Sequence, residues 1–85
     1  MKVALSVNEY KYLINNLLKN NQEFLLKFKH KIINTNSVDI YLNDDIADEI
    51  RELAIEELVF HFDKNYVPTE EGRILELFID KFFTG

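Results

Sequence analysis

Gln22-Glu23-Phe24-Leu25-Leu26-Lys27-Phe28-Lys29-His30-Lys31-Ile32-Ile33-Asn34 carries two competing periodicities, one of an all-helical chain and one of a mixed chain. Phe24, Leu25, Phe28, Ile32 and Ile33 recur at spacings of three and four, which gathers them on one side of a helix. Lys27, Lys29 and Lys31 fall elsewhere. A second reading exists, because after Phe24-Leu25-Leu26 lysine alternates with other residues, the period of a strand. The length of the stretch and its i, i+4 matches favour helix, so a helix is expected over 22–34.

The preceding segment opens on Ser6-Val7-Asn8-Glu9. Ser with Glu three residues on is a capping box, in which each side chain satisfies the other's backbone N–H. Tyr10, Leu13, Ile14, Leu17 and Leu18 then form a helical stripe, and a first helix is expected over 7–19. On the other side, Thr35-Asn36-Ser37 is a turn cluster. Val38, Ile40 and Leu42 alternate with Asp39, Tyr41 and Asn43, which admits a short strand at 38–42. Its only plausible partner is Lys2-Val3-Ala4-Leu5, and a two-stranded pairing alone is marginal in water.

A third helix is expected over 44–60. Asn43, Asp44 and Asp45 suit its start, where acids meet the positive end of the dipole. Ile46, Ala47, Ile50, Leu53, Ala54 and Leu58 trace its apolar stripe. The aromatic-rich connection from Phe60 to Val67 is expected to pack down. Pro68-Thr69-Glu70-Glu71 starts a fourth helix over 70–83, with Ile74, Leu75, Phe78, Ile79, Phe82 and Phe83 as its stripe. Gly72 in its first turn suggests close packing, against Tyr66. Four amphipathic helices predict an all-α fold, a single compact helical domain over 1–85. Its expected core is Leu13, Ile14, Leu17, Phe24, Phe28, Ile50, Leu53, Leu58, Ile74, Leu75, Phe78, Ile79 and Phe82.

Composition narrows the function classes. The chain has 85 residues, 47% hydrophobic and 29% charged, a globular balance. It has no cysteine, which excludes disulfides, thiol chemistry and thiolate metal sites. No apolar run approaches the roughly 18 residues that span a bilayer. Ser6, Asn8, Glu9 and Lys11 interrupt any signal-peptide pattern. A soluble, cytoplasmic domain is expected.

Charge is divided unevenly. Residues 1–36 carry +4 and residues 37–85 carry −9, within a net charge of −5. Asp45, Asp48, Glu49, Glu52 and Glu56 are three or four apart and share one helix face. That face is either a solvated exterior or a binding face for a cationic partner. Like charges at i, i+4 each cost a few tenths of a kcal/mol, which mildly favours a use for them. Asn43-Asp44-Asp45-Ile46-Ala47-Asp48 lacks the alternation and Gly of a calcium loop. His61 follows Glu57 by four residues and precedes Asp63 by two; on a helix the spacing admits a Glu57–His61 pair or a metal site with Asp63, and a helix-end dipole contact fits His61 better than a metal site. His30 and the lysines around it read as solvated surface, too short a basic stretch for nucleic acid. No nucleophile or nucleotide motif is present. The expectation is no catalytic residue, no cofactor and no metal, hence no enzyme.

Asp48-Glu49-Ile50-Arg51-Glu52-Leu53, Phe62-Asp63-Lys64-Asn65-Tyr66, Thr69-Glu70-Glu71-Gly72-Arg73-Ile74-Leu75-Glu76 and Ile79-Asp80-Lys81-Phe82 carry a resemblance. Together, over residues 37–83, they resemble small immunity proteins of bacterial polymorphic toxin systems, of the contact-dependent growth inhibition or Rhs type. In that pattern a Gly often precedes the Phe-Asp pair; here His61 stands there. The resemblance implies a cytoplasmic antidote without activity of its own. It would bind one cognate toxin C-terminal domain, often a nuclease, and neither nucleic acid nor membrane. Asp45, Asp48, Glu49, Glu52 and Glu56, with Tyr66 near the fourth helix, are the expected toxin-binding residues. The competing expectation is a small helical adaptor or regulatory subunit that holds another protein in an apolar groove. Joint exposure of Phe60, Phe62, Tyr66 and Phe83 would favour it.

Overall fold

A computed structural model of the chain describes residues 1–62, 65 and 67–84. Its backbone is α+β and corrects the all-α expectation. Strands β1 (Lys2–Ser6), β2 (Lys29–Asn34) and β3 (Ser37–Tyr41) form an antiparallel sheet in the order β1-β3-β2. The α-helices are α1 (Val7–Tyr12), α2 (Asp44–Leu58) and α3 (Glu70–Lys81). The chain divides into two compact units, Met1–Ile46 and Ala47–Gly85.

In the first unit the sheet is built around β3. It pairs with β1 from Lys2↔Tyr41 to Ser6↔Ser37, and with β2 from Lys29↔Tyr41 to Ile32↔Val38. A bulge at Ile33 precedes the Asn34↔Ser37 pair. Thr35 and Asn36 close the hairpin, and Asn36 N–H donates to Asn34 Oδ1 at 2.7 Å. Strand alternation turns Val3, Leu5, Val38 and Ile40 to one face, where all four are buried.

Ser6 ends β1 and caps α1 with no residue between. Its Oγ accepts the Glu9 N–H at 3.1 Å, and the Glu9 carboxylate accepts the Ser6 N–H at 2.9 Å. Beyond Tyr12 the helix widens into a π turn over Leu13–Leu17, in which Leu18 N–H donates to the Leu13 carbonyl at 2.9 Å. Leu13, Leu17 and Leu18 are buried, as are Phe24, Leu42 and Ile46.

The helix expected over 22–34 does not form. Only Gln22–Leu26 coils, as a 3-10 turn, and from Lys29 the lysine alternation is the true period. The reason is non-local. The Asn34–Ser37 turn brings Ile32 beside Val38, and β2 supplies partners to the backbone groups of β3 that β1 does not reach. Two adjacent β-branched isoleucines also suit a strand better than a helix. The strand admitted at 38–42 is β3, and β1 is its anticipated partner; the third strand lifts that pairing out of the marginal two-stranded regime. Of the expected core, Leu13, Leu17, Phe24, Ile50, Leu75, Phe78 and Phe82 are buried, whereas Ile14, Phe28, Leu53, Leu58, Ile74 and Ile79 are half-buried.

In the second unit, α2 buries Ala47, Ile50 and Ala54, and α3 buries Gly72, Leu75 and Phe78. Phe82 is buried just beyond α3, edge-on to Phe78 with ring centroids 5.8 Å apart. Arg51 Nε donates to the Ile79 carbonyl at 2.9 Å, and its guanidinium lies 5.1 Å from the centroid of the Phe83 ring. Thr69 caps α3, its Oγ1 accepting the Gly72 N–H at 3.2 Å.

Gly72 does meet a close neighbour. A Cβ there would stand 2.6 Å from the His61 carbonyl oxygen; Tyr66, the neighbour expected from sequence, lies outside the described residues. The connection after α2 is not packed down where it is described, since Phe60, Phe62 and Val67 are exposed. Among the described residues, no helix is long and apolar enough to cross a membrane.

Candidate functional site

The Asn43 Oδ1 accepts the Ile46 N–H at 2.9 Å and so starts α2. Asp44 and Asp45 fill its first turn, where the free N–H groups favour negative charge. The buried Ile46, Ala47, Ile50 and Ala54 then fix the orientation of the helix. At 3.6 residues per turn, Asp45, Asp48, Glu49, Glu52 and Glu56 fall within an arc of about 100° on the other side. All five are exposed.

Among the described residues, none of the five makes an ion pair. Asp48 Oδ1 accepts a hydrogen bond from the Thr84 hydroxyl at 2.9 Å. The helix therefore carries several like-charge i, i+3 and i, i+4 neighbours, each costing a few tenths of a kcal/mol.

Glu52, Ile55 and Glu56 line a shallow, open depression of about 190 Å³. Ile55 is 42% exposed, and Val59, one turn on, is 67% exposed. This apolar floor between carboxylates was not anticipated, although its signal is in the sequence: Ile55 and Val59 are the apolar residues of this segment that fall outside the stripe. Such a floor suits the alkyl stem of a lysine or arginine, whose charged head then reaches the flanking carboxylates.

The structure does not bring every residue singled out in the sequence into view. Tyr66 lies outside the described residues, as does Asp63. His61 does not simply sit at a helix end: its Nδ1 is 3.0 Å from a Glu71 carboxylate oxygen, and its Nε2 is 3.9 Å from Glu57. The ring thus bridges acids from α2 and α3. Among the described residues, no group of three His, Asp or Glu is arranged to hold a metal. The His30 and Tyr10 rings lie 5.3 Å apart between centroids, tilted by 35°, and Lys27 Nζ lies 5.2 Å from the Phe24 ring centroid.

No family model, curated protein or solved structure matches the chain.

Proposed function

We propose that this protein is a non-catalytic binding module that neutralises a cognate toxin domain, acting in the cytoplasm without metal or cofactor. The observation that carries this reading is the exposed acidic face of α2, with Asp45, Asp48, Glu49, Glu52 and Glu56 on one side of the helix. Nucleases are basic where they hold phosphates, so this face competes for the same surface. Exposed carboxylates raise the rate of encounter with such a partner. Once docked, a cation seated over Ile55 between Glu52 and Glu56 is desolvated, and breaking such a pair costs about 2–5 kcal/mol. The sequence resemblance to immunity proteins names the class of partner.

The test co-expresses the chain with the C-terminal domain of the large secreted protein expected from the neighbouring upstream gene. Growth is preserved by the wild type and lost with Glu49→Lys/Glu52→Lys, whose unfolding midpoint stays within experimental error. A double variant that protects like wild type reduces this face to solvated surface. Absence of a toxin gene beside this one removes the toxin reading.

A second reading draws on a separate observation. Phe60 and Phe83 are 76% and 58% exposed, and Phe62 is 38% exposed. These rings favour an adaptor that holds a partner protein through apolar contacts. Phe60→Ser would then abolish partner capture, whereas the acidic reversal would not.

A further inference from the structure

The hydrogen-bond phase of the sheet identifies which backbone groups lie unused at its edge. The Met1 ammonium donates to the Leu42 carbonyl at 2.6 Å, and Leu42 N–H donates to the Met1 carbonyl at 3.1 Å. These two residues are a hydrogen-bonded pair. Alternation along an antiparallel ladder puts Val3↔Ile40 and Leu5↔Val38 in the same class. Ile40 and Val38 therefore direct their backbone groups to β1, and Tyr41 and Asp39 direct theirs to β2, opposite Lys29 and Lys31. His30 and Ile32 then aim N–H and C=O outward, along the open edge of β2. Among the described residues, nothing bonds them there.

Side chains on the two faces of β2 differ in kind. On one face Ile32 continues the row Leu5–Val38–Ile32, yet Leu5 and Val38 are 2% and 3% exposed while Ile32 is 69% exposed. The apolar row runs to the edge and stops uncovered. On the other face stand Lys29 and Lys31, both exposed. Residues 24–38 contain no acid. Asp39, across from Lys31, lies 3.9 Å from Lys2.

Edge lysines and a bulge are devices that keep an edge from pairing with copies of itself. Here they act in that sense. The self-pairing that uses both free residues on each copy sets His30 against Ile32, and so places Lys31 directly opposite Lys31. Like charges in that position oppose association. The same lysines attract a strand of opposite sign.

We infer that the open edge of β2 is a strand-addition site for an extended acidic segment of a partner protein, one that sets acidic residues opposite Lys29 and Lys31 and apolar residues beside Ile32. Main-chain bonds to His30 and Ile32 give the affinity, and the lysines choose the charge. The site is on a different element from the acidic face of α2 and does not rest on the toxin reading.

The test uses the full chain, isotopically labelled, and three short capped peptides: alternating Glu and Val, alternating Lys and Val, and the Glu-Val peptide with alternate amides N-methylated. The Glu-Val peptide slows hydrogen exchange at the His30 and Ile32 amides about tenfold or more and binds about tenfold tighter than the Lys-Val peptide. Lys29→Glu/Lys31→Glu inverts that preference, and Ile32→Pro removes an outward N–H and weakens binding about tenfold. Should Ile32→Pro fail to fold, the charge inversion carries the test, because both lysines are exposed. Equal binding of the N-methylated peptide, or unchanged exchange at His30 and Ile32 with the Glu-Val peptide in large excess, overturns the inference. So does protection of these amides by concentration-dependent dimerisation without peptide.

Discussion

Gly72 shows how one missing atom fixes a junction. A Cβ there would stand 2.6 Å from the His61 carbonyl oxygen and 3.3 Å from Pro68 Cβ. That carbonyl cannot swing aside freely, because it accepts both the Thr69 N–H at 2.9 Å and the Thr69 hydroxyl at 3.1 Å. Gly72→Ala gains up to about 1 kcal/mol of helix propensity. It is nevertheless expected to destabilise the fold by about 1–3 kcal/mol through overpacking, read as a lower urea midpoint. Tyr10 gives a residue-level pH prediction. Partial burial disfavours its phenolate and raises its pKa above the ordinary 10.0. The neutral form is the one the fold accommodates, so this contribution is fully present below pH 10 and is lost as pH rises through the folded value. Alkaline absorbance titration of the folded protein should show a late tyrosine, and Tyr10→Phe should remove it.

At the scale of elements, β3 and β2 differ in what they can lose. Ile40 is wholly buried at the centre of the sheet, and Ile32 is mostly exposed at its edge. Ile40→Ala should cost about 2–5 kcal/mol, and Ile32→Ala should fall within about 0.5 kcal/mol of wild type in denaturant titrations. This contrast also explains what the sequence could and could not disclose. Helix starts were legible, because capping is local chemistry: Ser6 with Glu9, Asn43 with Ile46, Thr69 with Gly72. β2 was not, because its state is decided by residues 38–41 and, through them, 2–6. Within residues 22–34, i, i+4 matches and lysine alternation compete on near-equal terms, and only the partner strand separates them. The acidic face was legible from its spacing. Ile55 between Glu52 and Glu56 left a fainter signal, one apolar residue off the stripe, which by itself does not distinguish a depression from a smooth surface. The β2 edge was out of reach altogether, since a helix has no edge.

For the whole molecule the governing quantity is the charge division, +4 over residues 1–36 and −9 over residues 37–85. On the proposed reading, a basic partner of α2 would be steered by the second of these, and salt would screen it within a Debye length of about 10 Å at 0.1 M. Its association rate should fall by about an order of magnitude or more from low to high salt, with a much smaller change in dissociation rate. Stopped-flow measurement at several ionic strengths checks this; a salt-independent association rate would rule out an acidic docking face. The mixed α+β backbone has its own test. Backbone chemical shifts should be strand-like over 29–34 as well as over 2–6 and 37–41, and helical shifts over 29–34 would restore the four-helix reading.

The joint at Ser6 bears on how this chain tolerates changes of length. Because Ser6 closes the strand and opens the helix, no spacer absorbs an inserted residue. One residue added between Leu5 and Ser6 would advance the helix by about 100° relative to the strand. If the strand slipped instead, Val3 and Leu5 would turn to the opposite face of the sheet. Either way, two apolar surfaces that now face inward together would be set out of phase. The exposed Lys19-Asn20 turn has no such coupling. Homologous chains should therefore vary in length around residues 19–20 and keep the Ser6 joint free of insertions and deletions.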